Sequence, residues 1–486
     1  MSLGLRAPLS RRRLLGVLGT ATAGLALAAC SSGFATGAAK RPVELAGSSA
    51  RATAAGSSAR ATAAGSRRNS YVAAIPPPSI ALVTIDTLRH DQLGIYGHPF
   101  VKTPALDAFG ASGVRFNRHL VQEPQTNASH ASLFSGMYPA SSGVRVQSVD
   151  KLPATLSTLA SVLAGRGYQT AGLFSWISLE NQFCGLQQGF QVYQDLSAPL
   201  APGGNPYDLA TRKGRADHTT DVAISQLGAF SKNAPFFLWV HYFDPHYPYQ
   251  PPGAFATMYD AAYQDLVDGT LQTVDAIQGG SLKPTPQDVQ KLQALYQGEI
   301  SFLDSQIGRL FAQLSGSNIV VAVTGDHGES FGEHADLDEN GNFFHPHSLY
   351  SSEQQVPLLL RYGPVTRPGS TIGATTQAID LLPTLLQLAG APVPAQAQGT
   401  SLLPLLNGSD GGTGRVAFSA MPDDVFTSVT SNGWRLIRNN VSGTQRLFNL
   451  GADPGEQHDL LPAQADQAAS LGARLEGWMK EVKIAS

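Results

Sequence analysis

Asp326 and His327 stand side by side between glycines in Val323-Thr324-Gly325-Asp326-His327-Gly328-Glu329. A hard carboxylate oxygen next to an imidazole nitrogen is a usual start for a divalent metal site. Two further stretches offer the same chemistry: Asp86 closes Ile80-Ala81-Leu82-Val83-Thr84-Ile85, and His241, Asp244 and His246 follow Pro235 to Val240. Thr126 lies just ahead of a short segment, Ala131 to Phe134, that can start a helix with Ser129 as its N-cap, before Gly136 and Pro139 end it. Free amides and the dipole at such a helix start favour an anion, so its hydroxyl is a candidate nucleophile toward a phosphate or sulfate ester. A metal beside it would lower the hydroxyl pKa and offset charge on the transferred group. His246 and His345 are placed to contact the remaining oxygens of that group or to protonate its leaving group.

These residues need elements that carry them to one place. Ile80 to Ile85, Pro235 to Val240 and Asn318 to Ala322 are apolar, β-branched or aromatic runs of the kind that form strands buried on both faces. Each run opens into Asp or His, and parallel strands present their carboxyl ends on one edge, where ligands bind in open α/β sheets. Asp86, His246, Asp326 and His327 can therefore converge. Apolar spacing predicts helices over 156–163, 217–230, 287–314, 378–388 and 462–482, and further strands over 170–174, 189–193 and 356–360. Residues 251–286 read as an irregular, polar surface insertion. Beyond Gly408-Ser409-Asp410-Gly411-Gly412 the texture changes to short polar strands, 434–437 and 446–449, a small α+β appendage.

The chain has 486 residues, 42% of them hydrophobic, enough for a large core. A net charge of -3 gives no reason to expect nucleic acid as a partner. Arg11-Arg12-Arg13, an apolar stretch from Gly16 to Ala29 and the ending Leu27-Ala28-Ala29-Cys30 describe an export signal too short to span a membrane. The arginine run resembles a twin-arginine signal and the ending resembles a bacterial lipobox, which would put lipid on Cys30. The expected location is therefore the periplasm or cell surface, with the membrane reached through the lipid anchor only. The remaining cysteine, Cys184, then has no disulfide partner and reads as a buried, inert thiol. From Ser31 to Pro78 the chain is small and polar, with Gly-Ser-Ser-Ala-Arg-Ala-Thr-Ala-Ala at 47–55 repeated at 56–64. Such a segment cannot bury enough apolar area to order itself, so it reads as a tether.

Seven stretches in order resemble the sulfatase branch of the alkaline phosphatase superfamily. They include Ile85-Asp86-Thr87-Leu88-Arg89, Ser129-His130-Ala131-Ser132-Leu133-Phe134-Ser135-Gly136, Asp244-Pro245-His246-Tyr247-Pro248, Gly325-Asp326-His327-Gly328-Glu329 and His347-Ser348-Leu349-Tyr350. Asp380 to Leu386 and Leu447 to Pro454 complete the series. The resemblance implies an α/β, alkaline phosphatase-like three-layer sandwich with a mostly parallel central sheet over 79–408, and a C-terminal α+β subdomain over 409–486. It also implies that Asp86, Asp326, His327 and the Thr126 oxygen ligate a metal. Asp244, His246 and His345 would hold a second metal or bind substrate oxygens, with Asn127, His130 and His241 as further substrate contacts. One or two divalent ions are expected, from zinc, manganese, magnesium and calcium.

The departures from the family pattern bear on the reaction. Sulfatases of this family carry Cys or Ser-x-Pro-x-Arg, whose first residue is oxidised to formylglycine. Here Thr126 takes that first position, Ala128 the proline and His130 the arginine. Threonine cannot become formylglycine, and a threonine nucleophile is typical of the superfamily's phosphodiesterases, phosphatases and phosphoglycerol transferases. The expected activity is hydrolysis of phosphate esters, chiefly diesters, of a small molecule, glycan or lipid. The alternatives are a sulfuric ester hydrolase, a transferase of phospho-alcohol head groups onto envelope glycan or lipid, and a binding lipoprotein without turnover.

Overall fold

The computed structural model describes residues 76–198, 212–260, 267–334 and 343–484. The expected export signal, Cys30 and nearly all of the tether lie outside the described residues. Among the described residues no helix is long and apolar enough to cross a membrane.

Ten strands build the larger, N-terminal part. These are β1 (Ser79–Ile85), β2 (Val114–Leu120), β3 (Gln169–Phe174), β4 (Val192–Asp195), β5 (Phe236–Tyr242), β6 (Ile319–Gly325), β7 (Ser330–Phe331), β8 (Phe343–Phe344), β9 (Gln355–Arg361) and β10 (Ser370–Gln377). Eight of them form one sheet in the order β10-β2-β9-β6-β1-β5-β3-β4. β1 pairs in parallel with both β5 and β6, and β9 alone runs against its neighbours β2 and β6. The three strands that carry the acids and imidazoles are thus adjacent, at the centre of the sheet.

The alternation of side chains along each strand explains the layers. Along β1, Ala81, Val83 and Ile85 join a core shared with the helices Pro104–Ala111, Ala216–Ala229 and Pro286–Gln313. Ile80 and Leu82 point to the opposite core, shared with the helices Thr126–Ser135, Leu159–Ala164 and Leu381–Leu388. The result is the expected three-layer sandwich. The long helix Pro286–Gln313 begins with a reciprocal capping box between Thr285 and Asp288 and with Pro286 in its first turn.

A second sheet, β11 (Val416–Ala420), β12 (Phe426–Ser431), β13 (Trp434–Asn439) and β14 (Gln445–Asn449), is antiparallel throughout. The helix Ala465–Val482 lays Leu471, Leu475 and Met479 against Val429, Leu436 and Leu447 of that sheet. β11 leans on the main sheet's edge, where Ser419 Oγ donates to the Val121 carbonyl at 2.6 Å.

Three local expectations are corrected. β2 and β10 depart from the expected strands: in β2 polar outward positions interrupt the apolar run, and in β10 even the buried positions, Thr375, Thr376 and Gln377, are polar. The helix behind Thr126 starts at Thr126 itself and not after Ser129; Gln125 is the residue before it and makes no side-chain cap. Residues 251–286 are not wholly irregular, since Leu271–Gln278 forms a helix that buries Val274 and Ile277.

Candidate functional site

At the carboxyl end of β1, Asp86 is fully buried, and at the end of β6 so are Asp326 and His327. His327 Nδ1 faces the Gly328 carbonyl at 3.0 Å. A carbonyl can only accept, so Nδ1 carries the hydrogen and the Nε2 lone pair is turned inward. It faces Asp86 Oδ1 at 3.6 Å and Asp326 Oδ2 at 3.9 Å. Asp86 Oδ1 and Oδ2, Asp326 Oδ2 and His327 Nε2 are all buried with no hydrogen-bond partner among the described residues. Orphaned acceptors crowded together are costly unless a cation lies between them. Burial pushes the Asp86 carboxyl up to about 7 and Asp326 up as well, as expected for acids that lack a counter-charge. The donor set Asp86, Asp326 and His327 fits a divalent metal.

A second grouping, His130, His241 and Asp326, is also close enough to hold an ion. The hydrogen bonds of His130 argue for the first set. His130 Nδ1 donates to the Thr126 carbonyl at 2.8 Å, and Nε2 receives the Thr84 hydroxyl at 2.9 Å. Thr84 Oγ1 in turn accepts from Trp239 Nε1 at 2.9 Å. Both imidazole nitrogens are therefore taken by protein, and burial pushes the ring down to about 4. His130 sits beneath the first turn of the Thr126 helix as a brace, not at a surface that substrate reaches. His241, also fully buried, points Nε2 at Asp86 Oδ2 across 3.5 Å, and Ser175 Oγ donates to its carbonyl at 2.7 Å.

The Thr126 helix is docked on the metal-site loop from the same turn. Ser129 Oγ donates to the Asp326 carbonyl at 2.5 Å, and His130 Nδ1 lies 3.7 Å from Asp326 Oδ2. Every residue from Thr126 to Ser135 is buried. Asn127 donates through Nδ2 to the Phe183 carbonyl at 3.3 Å, leaving its Oδ1 unpartnered among the described residues. Thr87 is held at φ +53°, a left-handed conformation that costs a β-branched residue about 1–3 kcal/mol. That turn lets its amide donate to Asp326 Oδ1 at 3.2 Å.

His246 and His345 meet beside His327. Their ring centroids lie 4.9 Å apart, and His345 is 4.3 Å from His327. His246 Nδ1 is tied to the Tyr247 carbonyl, and burial holds its ring well below the usual imidazole range. Asp244 does not join them. Its Oδ1 pairs with Lys213 Nζ at 3.0 Å, and its Oδ2 accepts from the Ala216 amide at 2.8 Å. Lys213 also pairs with buried Glu299 at 2.6 Å, so Asp244 anchors the start of the helix Ala216–Ala229. Lys213, Glu299 and Glu329 were not anticipated. Only Glu329, two residues beyond His327 in the same loop, carried a positional hint. Cys184 is buried, and burial pushes its thiol up to about 11, as an inert thiol requires.

The loop itself is pinned by backbone. The Gly328 amide donates to the Glu353 carbonyl at 2.8 Å and the Glu329 amide to the Ser352 carbonyl at 2.9 Å. A Cβ on Gly328 would press into the Ser352 carbonyl oxygen, which is backbone and cannot swing aside. Gly328→Ala is expected to lower both bound metal and turnover by about tenfold, of the order of 1.4 kcal/mol, with the fold retained. Metal analysis beside circular dichroism checks this.

The comparisons agree with this geometry. The sulfatase family model matches residues 78–391, and that of the N-sulphoglucosamine sulphohydrolase C-terminal region matches 339–484. An arylsulfatase of Clostridium perfringens is 24% identical over 451 residues, covering 80% of this chain and 91% of that protein. A phosphonate monoester hydrolase from Silicibacter pomeroyi superposes with a TM-score of 0.67 at 21% identity, over 83% of this chain and 95% of that one. A protein solved with its substrate D-glucosamine-2-N,6-O-disulfate superposes at 0.70, with 21% identity, over 84% and 98%. With a family match across most of the folded chain and a buried Asp-Asp-His set at the sheet's carboxyl edge, the chain belongs to the sulfatase family of the alkaline phosphatase superfamily and is an ester hydrolase.

Proposed function

We propose that this protein is an exported, lipid-anchored hydrolase of phosphate esters, chiefly diesters, that works through Thr126. The observation that carries the reading is a threonine, which cannot be oxidised to an aldehyde, at the head of a buried helix braced against Asp326 by Ser129 and His130. Arg11-Arg12-Arg13 and the Leu-Ala-Ala-Cys ending at Cys30 support export and anchoring.

Asp86, Asp326 and His327, together with the Thr126 oxygen, would hold a divalent ion; the imidazole suits zinc, and the two carboxylates suit manganese, magnesium or calcium. When bound, it lowers the pKa of the threonine hydroxyl and offsets charge on the transferred group. Thr126 Oγ attacks phosphorus, the bond to the leaving oxygen breaks, and a phospho-threonine forms. His345 lies beside His327 and against His246, where an imidazole can protonate the leaving oxygen. Water then opens the phospho-threonine and restores Thr126.

Hydrolysis of sulfate esters is the second reading, favoured by the family match and the arylsulfatase relative. Rates of the purified protein on bis-aryl phosphate, aryl phosphate and aryl sulfate, with metal content measured alongside, separate the two. The bis-aryl phosphate is expected to turn over at least tenfold faster than the sulfate, which corresponds to about 1.4 kcal/mol in the barrier. Sulfate turnover above both phosphates would overturn the phosphate reading.

A further inference from the structure

Glu329 has no place in the reaction as set out so far, yet each of its polar atoms is engaged at the site. β7 and β8 form a short antiparallel ribbon in which Ser330 faces Phe344 and Phe331 faces Phe343. Extending that register by one residue sets Glu329 opposite His345. Glu329 is fully buried, and its Oε1 lies 2.8 Å from His345 Nδ1. Its Oε2 accepts from the Tyr249 hydroxyl at 2.8 Å. Its carbonyl accepts from Arg89 Nη1 at 3.0 Å, and its amide is held by Ser352. The carboxyl group is thus held between His345 and Tyr249, while Arg89 and Ser352 tie the backbone that carries it. His345 cannot spin without breaking the contact at Nδ1, so Nε2 is the nitrogen left to face the reacting groups.

We propose that Glu329 is a positioning residue that, with Tyr249, holds His345 as the proton donor to the leaving oxygen. This rests on the reading of Thr126 as nucleophile. The Glu329–His345 pair enters with one proton on Nε2 and one shared across the Nδ1···Oε1 contact. Thr126 enters as the alkoxide, its proton released to solvent. The oxygen–phosphorus bond from Thr126 forms, the bond to the leaving oxygen breaks, and that oxygen takes the Nε2 proton with its electron pair. The shared proton settles on Nδ1, leaving a neutral imidazole and a carboxylate. In the second half, Nε2 accepts a proton from the attacking water as the phospho-threonine opens, which returns the pair to its starting state. Burial disfavours a charge on the ring, so what Glu329 supplies is a fixed orientation and a partner for the proton at Nδ1.

The test is the dependence of kcat/KM on the leaving group for Glu329→Gln, His345→Ala and the double variant, each with its metal content measured. An imidazole donor matters most when the departing oxygen is strongly basic. With phenyl or alkyl phosphodiesters, Glu329→Gln is expected to lose about a hundredfold. With dinitrophenyl esters, whose leaving oxygen needs no proton, the loss is expected to stay within about threefold. His345→Ala should show the same selectivity, and the double variant should be no worse than His345→Ala alone. Equal losses on both ester classes at full metal content, or additive losses in the double variant, would overturn the assignment. Failure of the underlying reading looks different, because sulfate preference or an active Thr126→Ala enzyme would appear in the parent chain whatever Glu329 does.

Discussion

Thr126→Ala is expected to lower turnover by about a thousandfold or more, while the protein folds and binds metal nearly as well as the parent. The side chain is a short, buried hydroxyl at the first residue of a helix whose position is set by other groups. Ser129 ties that turn to the Asp326 carbonyl, and His130 ties it to Thr84 and Trp239. Removing the hydroxyl should therefore leave the Asp86, Asp326 and His327 set where it is. Thr126→Ser, which keeps the hydroxyl, is expected to retain turnover within about tenfold. Acid quenching of the parent with a phosphodiester should trap a phosphoryl group on the peptide containing Thr126. An alanine variant that still turns over diesters, or label on no threonine peptide, would remove Thr126 as nucleophile.

The second large effect concerns stability and lies far along the chain. Arg435 on β13 is fully buried, and its Nη1 pairs with Glu456 Oε1 at 3.0 Å. The same guanidinium donates to Thr430 Oγ1 at 3.0 Å and to Ser351 Oγ at 3.2 Å. Glu456 Oε2 accepts the Ser351 amide at 2.6 Å. Glu456→Ala leaves a buried guanidinium without its counter-charge and is expected to cost about 3–5 kcal/mol in urea unfolding. Replacing both partners, Arg435→Met with Glu456→Ala, should recover a large part of that loss, because the uncompensated charge is gone. A single-variant loss under about 1 kcal/mol would show that water reaches the guanidinium. Ser351 precedes the Ser352 and Glu353 carbonyls that hold the Gly328 and Glu329 amides. Glu456→Ala should therefore also loosen the metal-site loop.

Legibility tracked how a residue is recognised. Asp86, Asp326 and His327 end runs of apolar, β-branched residues, and such runs are strands buried on both faces whatever surrounds them. Glycine-rich turns after those runs marked the ligand edge. Near the sheet's edge, β2 alternates apolar with polar residues and β10 is mostly polar, even at its buried Thr375, Thr376 and Gln377, so neither leaves a continuous apolar run. The Thr126 helix is buried all round, so no polar face betrayed its period or its start.

The roles of the polar residues divide along the same line. From the chain alone came the α/β reading of the sheet and the nearness of Asp86, Asp326 and His327. These follow from local patterns, because strand direction carries the end of each run to one edge of the sheet. Only the tertiary structure decided that His130 braces the helix that begins at Thr126, that Asp244 pairs with Lys213, and that Glu329 backs His345. Each of those roles depends on a partner dozens of residues away or on the register of a two-residue ribbon, and spacing along a sequence records neither.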